Sequence, residues 1–364
     1  MNKEYNNYNK PELKVLFWNV LADVYLKYYD NRVKELSPTY DLDFKLRPIE
    51  ANYTYRQERI MKYIRKMSPD VIGLVEIQDT MYEYLKEKLN EYYNFTEIIS
   101  DELDKEKIDY NFPLEGKCII YKKSIEITNM NVHALETGYG RKALDFSFNY
   151  VGKSFSYIVH HNSPVYLIAV DKDGNYLNPK DEEYEKKFND KNKEPDMNQI
   201  VEIYPGKYKK FMRGNAIFCM ENLIKYINEN ISSNTILMVG GDFNSQPSYP
   251  PKVAKSHVPE YIEKIKFDMV DLHDYRNDKS FLSTKHDGRR FDYIFYNKSK
   301  LKPKYIQHIQ PPVFDMKRIN KGMSHEEIDE IKIFNRKIWK MNYSYQLMNI
   351  GSDHQPIYSK FIII

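Results

Sequence analysis

The sequence predicts an α/β fold, and three observations carry it. Short apolar runs rich in strand formers recur from the start of the chain to its end. Helical stretches with apolar residues one turn apart separate several of them. Most of the apolar runs stop, or start, at a polar side chain able to do chemistry.

The first run, Leu13–Val20, reads Leu-Lys-Val-Leu-Phe-Trp-Asn-Val and is expected to be a buried strand. A helix follows over Tyr55–Met67, with Ile60 and Ile64 one turn apart and Arg56, Arg59 and Arg65 on its polar flanks; Ser68-Pro69-Asp70 ends it. Val71–Val75 is a second buried strand, and Met81–Leu89 a second helix. Lys117–Tyr121 and Phe155–Val159 are strands. Residues 210–229 read as a long helix that turns Phe211, Phe218, Leu223 and Ile227 to the core. Thr235–Val239, Phe291–Tyr296 and Pro356–Ile364 complete the strands, and a short helix is expected near Glu326–Trp339.

The chain has 364 residues, 41% hydrophobic and 29% charged, enough to bury a substantial core. One catalytic domain is expected over 13–364, behind a polar tail at 1–12. The polar stretches 171–196 and 298–346 are read as surface insertions. The 55 basic residues are balanced by 52 acidic ones, for a net charge of +3, so any attraction for phosphate must be local. Cys118 and Cys219 sit in apolar runs and read as buried thiols, and no disulfide scaffold or zinc site is implied. Met1–Lys10 lacks the apolar segment of a signal peptide, and no run is long enough to span a bilayer, so a cytoplasmic protein with no membrane partner is expected.

The polar residues at strand ends form a consistent set. Asn19 follows Leu-Phe-Trp, Glu76 follows Val-Ile-Gly-Leu-Val, and His161 follows Tyr-Ile-Val-His. Asp242 and Asn244 follow Ile-Leu-Met-Val-Gly-Gly; Asp292 opens Tyr-Ile-Phe-Tyr; Asp353 and His354 precede Gln-Pro-Ile-Tyr. Each alone could be a helix cap or a turn residue. Together they make a rigidly mounted group of carboxylates, amides and imidazoles without thiolate, a donor set that suits Mg²⁺ or Mn²⁺ better than zinc. Gly240-Gly241 would let backbone approach a ligand closely.

In their order, Asn19, Glu76, His161, Gly-Asp-Phe-Asn at 241–244, Asp-Tyr-Ile-Phe at 292–295 and Ser-Asp-His at 352–354 resemble the endonuclease/exonuclease/phosphatase, or deoxyribonuclease I-like, superfamily. The resemblance runs from about residue 13 to the C-terminus. It implies a four-layered sandwich of two mixed β-sheets flanked by helices, with the active site at one end. Asn-Val-Leu-Ala-Asp at 19–23, Gly-Asp-Phe-Asn-Ser-Gln-Pro at 241–247 and Glu115-Gly116-Lys117-Cys118-Ile119 resemble the mRNA deadenylase class.

That resemblance implies roles. Glu76 would be the direct ligand of Mg²⁺ or Mn²⁺, with Asn19 completing its surroundings and Asp353 ligating or bracing. Asp242 would orient or deprotonate the attacking water, and Asn244 would donate to water or phosphate. His354 would stabilise charge on the phosphorus centre, its tautomer fixed by Asp292. His161 would contact a phosphate oxygen; strand alternation sends the adjacent His160 to the opposite face. Arg289 and Arg290 are candidates for phosphate contacts, and Asp23 is a loop candidate. The implied partner is a nucleic acid, single-stranded RNA shortened from its 3′ end. A DNA or abasic-site endonuclease, or a nucleotide or lipid phosphoesterase, is the alternative within the same fold. A scaffold that has lost its chemistry is disfavoured by intact Glu76, Asp242, Asn244, Asp292 and His354.

Overall fold

The computed structural model describes residues 10–22, 53–101, 115–135, 141–163, 166–179, 200–204, 207–212, 214–245, 257–275, 290–308, 317, 320 and 322–364. In chain order the first elements are β1 (Glu12–Asn19), α1 (Tyr53–Met67), β2 (Val71–Ile77), α2 (Asp79–Leu89), β3 (Tyr93–Phe95) and β4 (Ile99–Ser100). Then come β5 (Gly116–Lys122), β6 (Glu126–Ala134), β7 (Lys142–Tyr150), β8 (Lys153–His161), β9 (Tyr166–Val170), β10 (Ile200–Tyr204) and β11 (Lys207–Met212). The remainder is α3 (Gly214–Asn230), β12 (Ile236–Asp242), α4 (His257–Ile262), β13 (Met269–Asp271), β14 (Asp292–Asn297), β15 (Leu301–His308), α5 (His325–Ile350) and β16 (Ile357–Ile363).

Two mixed sheets face each other. One has the order β15-β16-β1-β2-β5-β3, with β4 also on β5; the other runs β13-β14-β12-β8-β7-β6. A small third sheet, β10-β11-β9, stands apart from both. Strand alternation writes the layers into the sequence. In β1, Val15 and Phe17 face the core between the sheets, while Leu16 and Trp18 face an outer core that also holds Ile60, Ile64 and Leu85 of α1 and α2. In β12, Met238 faces inward, and Leu237 and Val239 face Leu223 and Ile227 of α3. The order of layers is therefore helix, sheet, sheet, helix, as the family resemblance implies.

Two glycines set how closely the sheets approach. A Cβ on Gly73 would lie 2.5 Å from Val159 Cγ2, and one on Gly240 would lie 2.5 Å from the Tyr157 hydroxyl. Tyr157 fits between the sheets because both positions lack a side chain. A Cβ on Gly241 would lie 2.5 Å from the His160 ring. The glycine pair before Asp242 thus makes room for neighbouring side chains, not for a ligand as its sequence context implies.

Three further sequence expectations are corrected. Arg56 is fully buried rather than on a polar flank; its guanidinium donates to the carbonyls of Val20 (2.6 Å) and Gly351 (2.7 Å), and also to that of Leu21. Phe211 belongs to β11, and the helix begins only at Gly214. The stretch 298–346 is more than an insertion: β15 pairs with β16 at the sheet edge, and α5 is a 26-residue helix packed against α1. Lysines alternating with apolar residues along an edge strand disguised β15 as mixed polar chain. Of the stretch 171–196, residues 171–179 are described, and Asp171 there closes a turn by accepting from the Asp173 and Asn175 amides.

The start and stop of α5 matter for the site. Ser324 Oγ accepts from the Glu327 amide (3.2 Å), and Glu327 accepts from the Ser324 amide (2.7 Å), a reciprocal cap. At the other end Gly351, with φ 85°, terminates the helix. The chain then turns directly into Ser352-Asp353-His354.

Candidate active site

Register delivers most of the candidate residues to one rim. Asp242, the last residue of β12, stands opposite His161 of β8 on one side and Asp292 of β14 on the other. Across the sandwich, Asn19 ends β1 beside Val75 of the parallel strand β2, and Glu76 follows. Glu76 occupies a bulge in the β2–β5 pairing, with φ +56°. A non-glycine residue held there costs about 1–3 kcal/mol, and such strain gathers at functional sites. Asn244 also has positive φ (49°), a conformation asparagine tolerates.

Asn19 ties the two sheets together. Its Nδ2 donates to Glu76 Oε1 at 2.7 Å and to Asp242 Oδ2 at 2.9 Å, while its Oδ1 accepts from the Leu21 amide at 3.0 Å. The amide of Ala22 reaches Glu76 Oε2 at 3.3 Å. Asp242 Oδ1 accepts from the Asn244 amide at 2.8 Å.

The segment after α5 closes the rim. Ser352 Oγ donates to the Asn19 carbonyl (2.7 Å), and Trp18 Nε1 donates to the His354 carbonyl (2.9 Å). His354 Nδ1 lies 2.7 Å from Asp292 Oδ2 and 3.8 Å from Asp242 Oδ2. With Asp292 accepting at Nδ1, the neutral imidazole keeps its lone pair on Nε2. Asp353 Oδ1 is 3.9 Å from His354 Nε2.

His161 Nε2 lies 3.1 Å from Asn244 Nδ2, 3.7 Å from Glu76 Oε1 and 3.8 Å from Asp242 Oδ2. Its Nδ1 faces Arg141 Nη1 at 3.0 Å and Glu115 Oε1 at 3.5 Å. His160 points the other way, its ring edge-on to Phe243 with centroids 4.3 Å apart. The two histidines therefore sit in different surroundings, as alternation requires. Burial, with the Lys117 charge second, pushes His160 down to about 3. Burial and then the Arg141 and Lys117 charges hold His161 well below the usual histidine range.

Glu76 carries the opposite shift. Burial first, and the facing Glu115 carboxylate second, push it up to about 8 from its ordinary 4.5. A buried cluster of carboxylates left to itself resists ionisation, and a divalent cation is the group that relieves it. Donor atoms of Glu76, Glu115 and His161 lie within 4.8 Å of one another, as do those of Asp242, Asp292 and His354. The oxygen-rich donor set fits a divalent cation; Asp353 falls in neither group.

The remaining candidates divide. Arg290 is buried, paired with Asp271 and stacked 4.4 Å over the Tyr293 ring. That leaves it little surface for a phosphate. Arg289 and Asp23 lie outside the described residues.

Glu115 and Arg141 are rim residues that strand-end reasoning passes over. Counting only residues at the C-terminal ends of strands misses them. Glu115 precedes β5, which is antiparallel to β2, and Arg141 precedes β7, which is antiparallel to β8. The N-terminal ends of antiparallel strands reach the same rim, and Asp292 at the head of β14 shows the same signal.

Two mixed sheets in four layers, with carboxylates, amides and imidazoles gathered on one rim, define the deoxyribonuclease I-like class of sandwich. The chain belongs to the Endonuclease/Exonuclease/phosphatase family, whose model matches residues 16–354. No curated protein matches the sequence. Solved structures do share its fold. The human Nocturnin catalytic domain with bound sulfate anion superposes with a TM-score of 0.55 at 14% identity, covering 98% of this chain and 96% of that one. An endonuclease/exonuclease/phosphatase from Bacteroides vulgatus gives 0.54 at 15% identity, covering 98% and 100%. D. rerio TDP2 complexed with single strand DNA product gives 0.50 at 14% identity, covering 96% and 98%. Among the described residues no helix is long and apolar enough to cross a membrane.

Proposed function

We propose that the protein is a Mg²⁺- or Mn²⁺-dependent phosphodiesterase that shortens single-stranded RNA from its 3′ end. The observation that carries the chemistry is the Asn19 amide bridging Glu76 and Asp242. It joins a metal-type carboxylate of one sheet to a base-type carboxylate of the other on a single rim. Glu76 and Glu115, with Asn19 and Asp353 beside them, would hold a divalent cation, which would supply charge neutralisation at the phosphate.

The chain's own residues do the rest. Asp242, fixed by Asn19 and by the Asn244 amide, accepts a hydrogen bond from the attacking water and orients it. Asn244 and His161, 3.1 Å apart on the same rim, serve the phosphate oxygens. His354, held by Asp292 at Nδ1, presents Nε2 to the reacting group.

The substrate rests on sequence: Asn19–Asp23 and Gly241–Pro247 resemble the deadenylase class. Base preference has to come from stacking and edge contacts outside the rim, about 1–3 kcal/mol for each stacked base. A net charge of +3 favours few phosphate contacts and a shallow salt dependence. The test is a time course on end-labelled oligo(A), oligo(U) and duplex DNA with Mg²⁺. A ladder of RNA shortened one nucleotide at a time supports the reading. Internal nicking of duplex DNA with RNA left intact moves the protein to the DNA-cleaving alternative.

A further inference from the structure

A buried cation behind the rim is tied to it through the backbone. Arg56 of α1 is fully buried. Its Nη2 carries two hydrogens and meets two acceptors, the carbonyls of Val20 (2.6 Å) and Leu21. Its Nε carries one hydrogen and meets one acceptor, the Gly351 carbonyl at 2.7 Å.

The Val20 carbonyl and the Leu21 N–H are the two ends of one peptide unit. The Leu21 carbonyl and the Ala22 N–H are the two ends of the next. A peptide unit is planar and trans, so its C=O and N–H point in opposite directions, and holding the oxygen end aims the N–H end. The Leu21 N–H donates to Asn19 Oδ1 at 3.0 Å, and the Ala22 N–H donates to Glu76 Oε2 at 3.3 Å. We infer that Arg56 is a positioning residue: it grips the oxygen ends of the two peptide units whose N–H ends hold Asn19 and Glu76.

The local backbone calls for such a grip. Leu21 is held at φ +58°, a conformation that a leucine keeps only under constraint from its surroundings. The turn brings two consecutive carbonyls onto one nitrogen. A guanidinium stays charged and presents its donors in a fixed fork, so it serves three carbonyls at once where an ammonium could not. Its charge at the oxygen ends also polarises each peptide unit and strengthens donation at the N–H ends.

The third carbonyl belongs to the other side of the rim. Gly351 ends α5, and Ser352, next in the chain, donates from Oγ to the Asn19 carbonyl (2.7 Å) and accepts from the His354 amide (3.1 Å). One guanidinium therefore sets the turn after β1 against the segment that carries His354. The effect on metal binding and turnover rests on the proposed phosphodiesterase reading; the grip on the two peptide units does not.

The test is residue-resolved amide hydrogen exchange of the metal-free full chain, followed by Mg²⁺ titration read by thermal shift, in wild type, Arg56→Lys and Arg56→Ala. In the wild type the Leu21 and Ala22 amides are expected to be protected. In Arg56→Lys they are expected to exchange at least about tenfold faster, while the amides of the β2–β5 ladder keep their protection, which separates local release from global destabilisation. The half-saturating Mg²⁺ concentration is expected to rise about 10–100-fold. Millimolar guanidinium, but not methylammonium, is expected to restore the Mg²⁺ response of Arg56→Ala. Free exchange of the two amides in the wild type, or a folded Arg56→Lys with wild-type exchange at both, overturns the inference. If neither variant folds, exchange in the wild type decides alone. Loss of protection confined to Leu21 and Ala22 in a protein that neither responds to Mg²⁺ nor cleaves RNA would leave the grip standing and the phosphodiesterase reading refuted.

Discussion

The Asp292 carboxylate holds Nδ1 of His354 at 2.7 Å, and both side chains are buried. The pair joins the head of β14 to the segment that leaves α5, two places 62 residues apart in sequence. It holds the Nδ1 side of the His354 ring. Asp292→Asn keeps the shape but can reverse the tautomer. Turnover is expected to fall by about 10²–10⁴-fold with KM little changed. Steady-state kinetics on the substrate that the wild type cleaves checks this; a loss confined to KM would contradict it.

Glu76→Gln removes a charge that burial already disfavours, so the metal-free protein should fold as well as the wild type or better. Its response to metal should vanish. Differential scanning with and without Mg²⁺ is expected to show a stabilising shift in the wild type and none in the variant, together with a loss of roughly 10²-fold or more in turnover. An equal metal shift in both proteins would remove Glu76 from the ligand set.

The raised pKa of Glu76 gives a pH dependence with a definite sign. Between its ordinary 4.5 and about 8 the folded metal-free protein binds the extra proton. The Glu76 contribution to stability is therefore fully present below 4.5 and is lost as pH rises toward 8. Comparing wild type with Glu76→Gln across that window isolates the effect, since other groups cancel. Metal binding competes with the same proton, so apparent Mg²⁺ affinity should rise by up to about tenfold per pH unit and level off above about 8. Affinity that falls with rising pH would contradict the assignment.

The adjacent histidines should separate cleanly. His161→Ala is expected to abolish most activity at little cost in stability. His160→Ala should cost about 2–4 kcal/mol of stability, because it opens a cavity against Phe243 and Gly241, and should leave more of the activity. Chemical denaturation and kinetics on both variants decide; equal profiles would mean that the strand alternation does not divide their roles.

The reach of the sequence is clearest in particular residues. β1, β2, β8, β12, β14 and β16 each carry a run of apolar strand formers, and the polar residues beside those runs, Asn19, Glu76, His161, Asp242 and Asp292, are visible without coordinates. Strand alternation alone separates His160 from His161. What is hidden depends on pairing. Arg56 looks like a helix-surface charge until the carbonyls of Val20, Leu21 and Gly351 converge on it. Arg290 looks like a phosphate ligand until Asp271 claims it. Glu115 and Arg141 become site neighbours only because β5 and β7 run antiparallel to β2 and β8. β15 and the full length of α5 were masked by polar edge and surface residues, whose burial is set by what packs on them.

The most direct test of the account is hydrolysis itself. Purified protein is incubated with 3′- and 5′-end-labelled single-stranded oligo(A), in Mg²⁺ and in EDTA, beside Glu76→Gln and Asp242→Asn. The account predicts phosphodiester cleavage by the wild type in Mg²⁺, lost in EDTA and reduced at least about 10²-fold in both variants. Cleavage that persists in EDTA, or that proceeds at the wild-type rate in both variants, would contradict a metal-dependent reaction at the rim joined by Asn19.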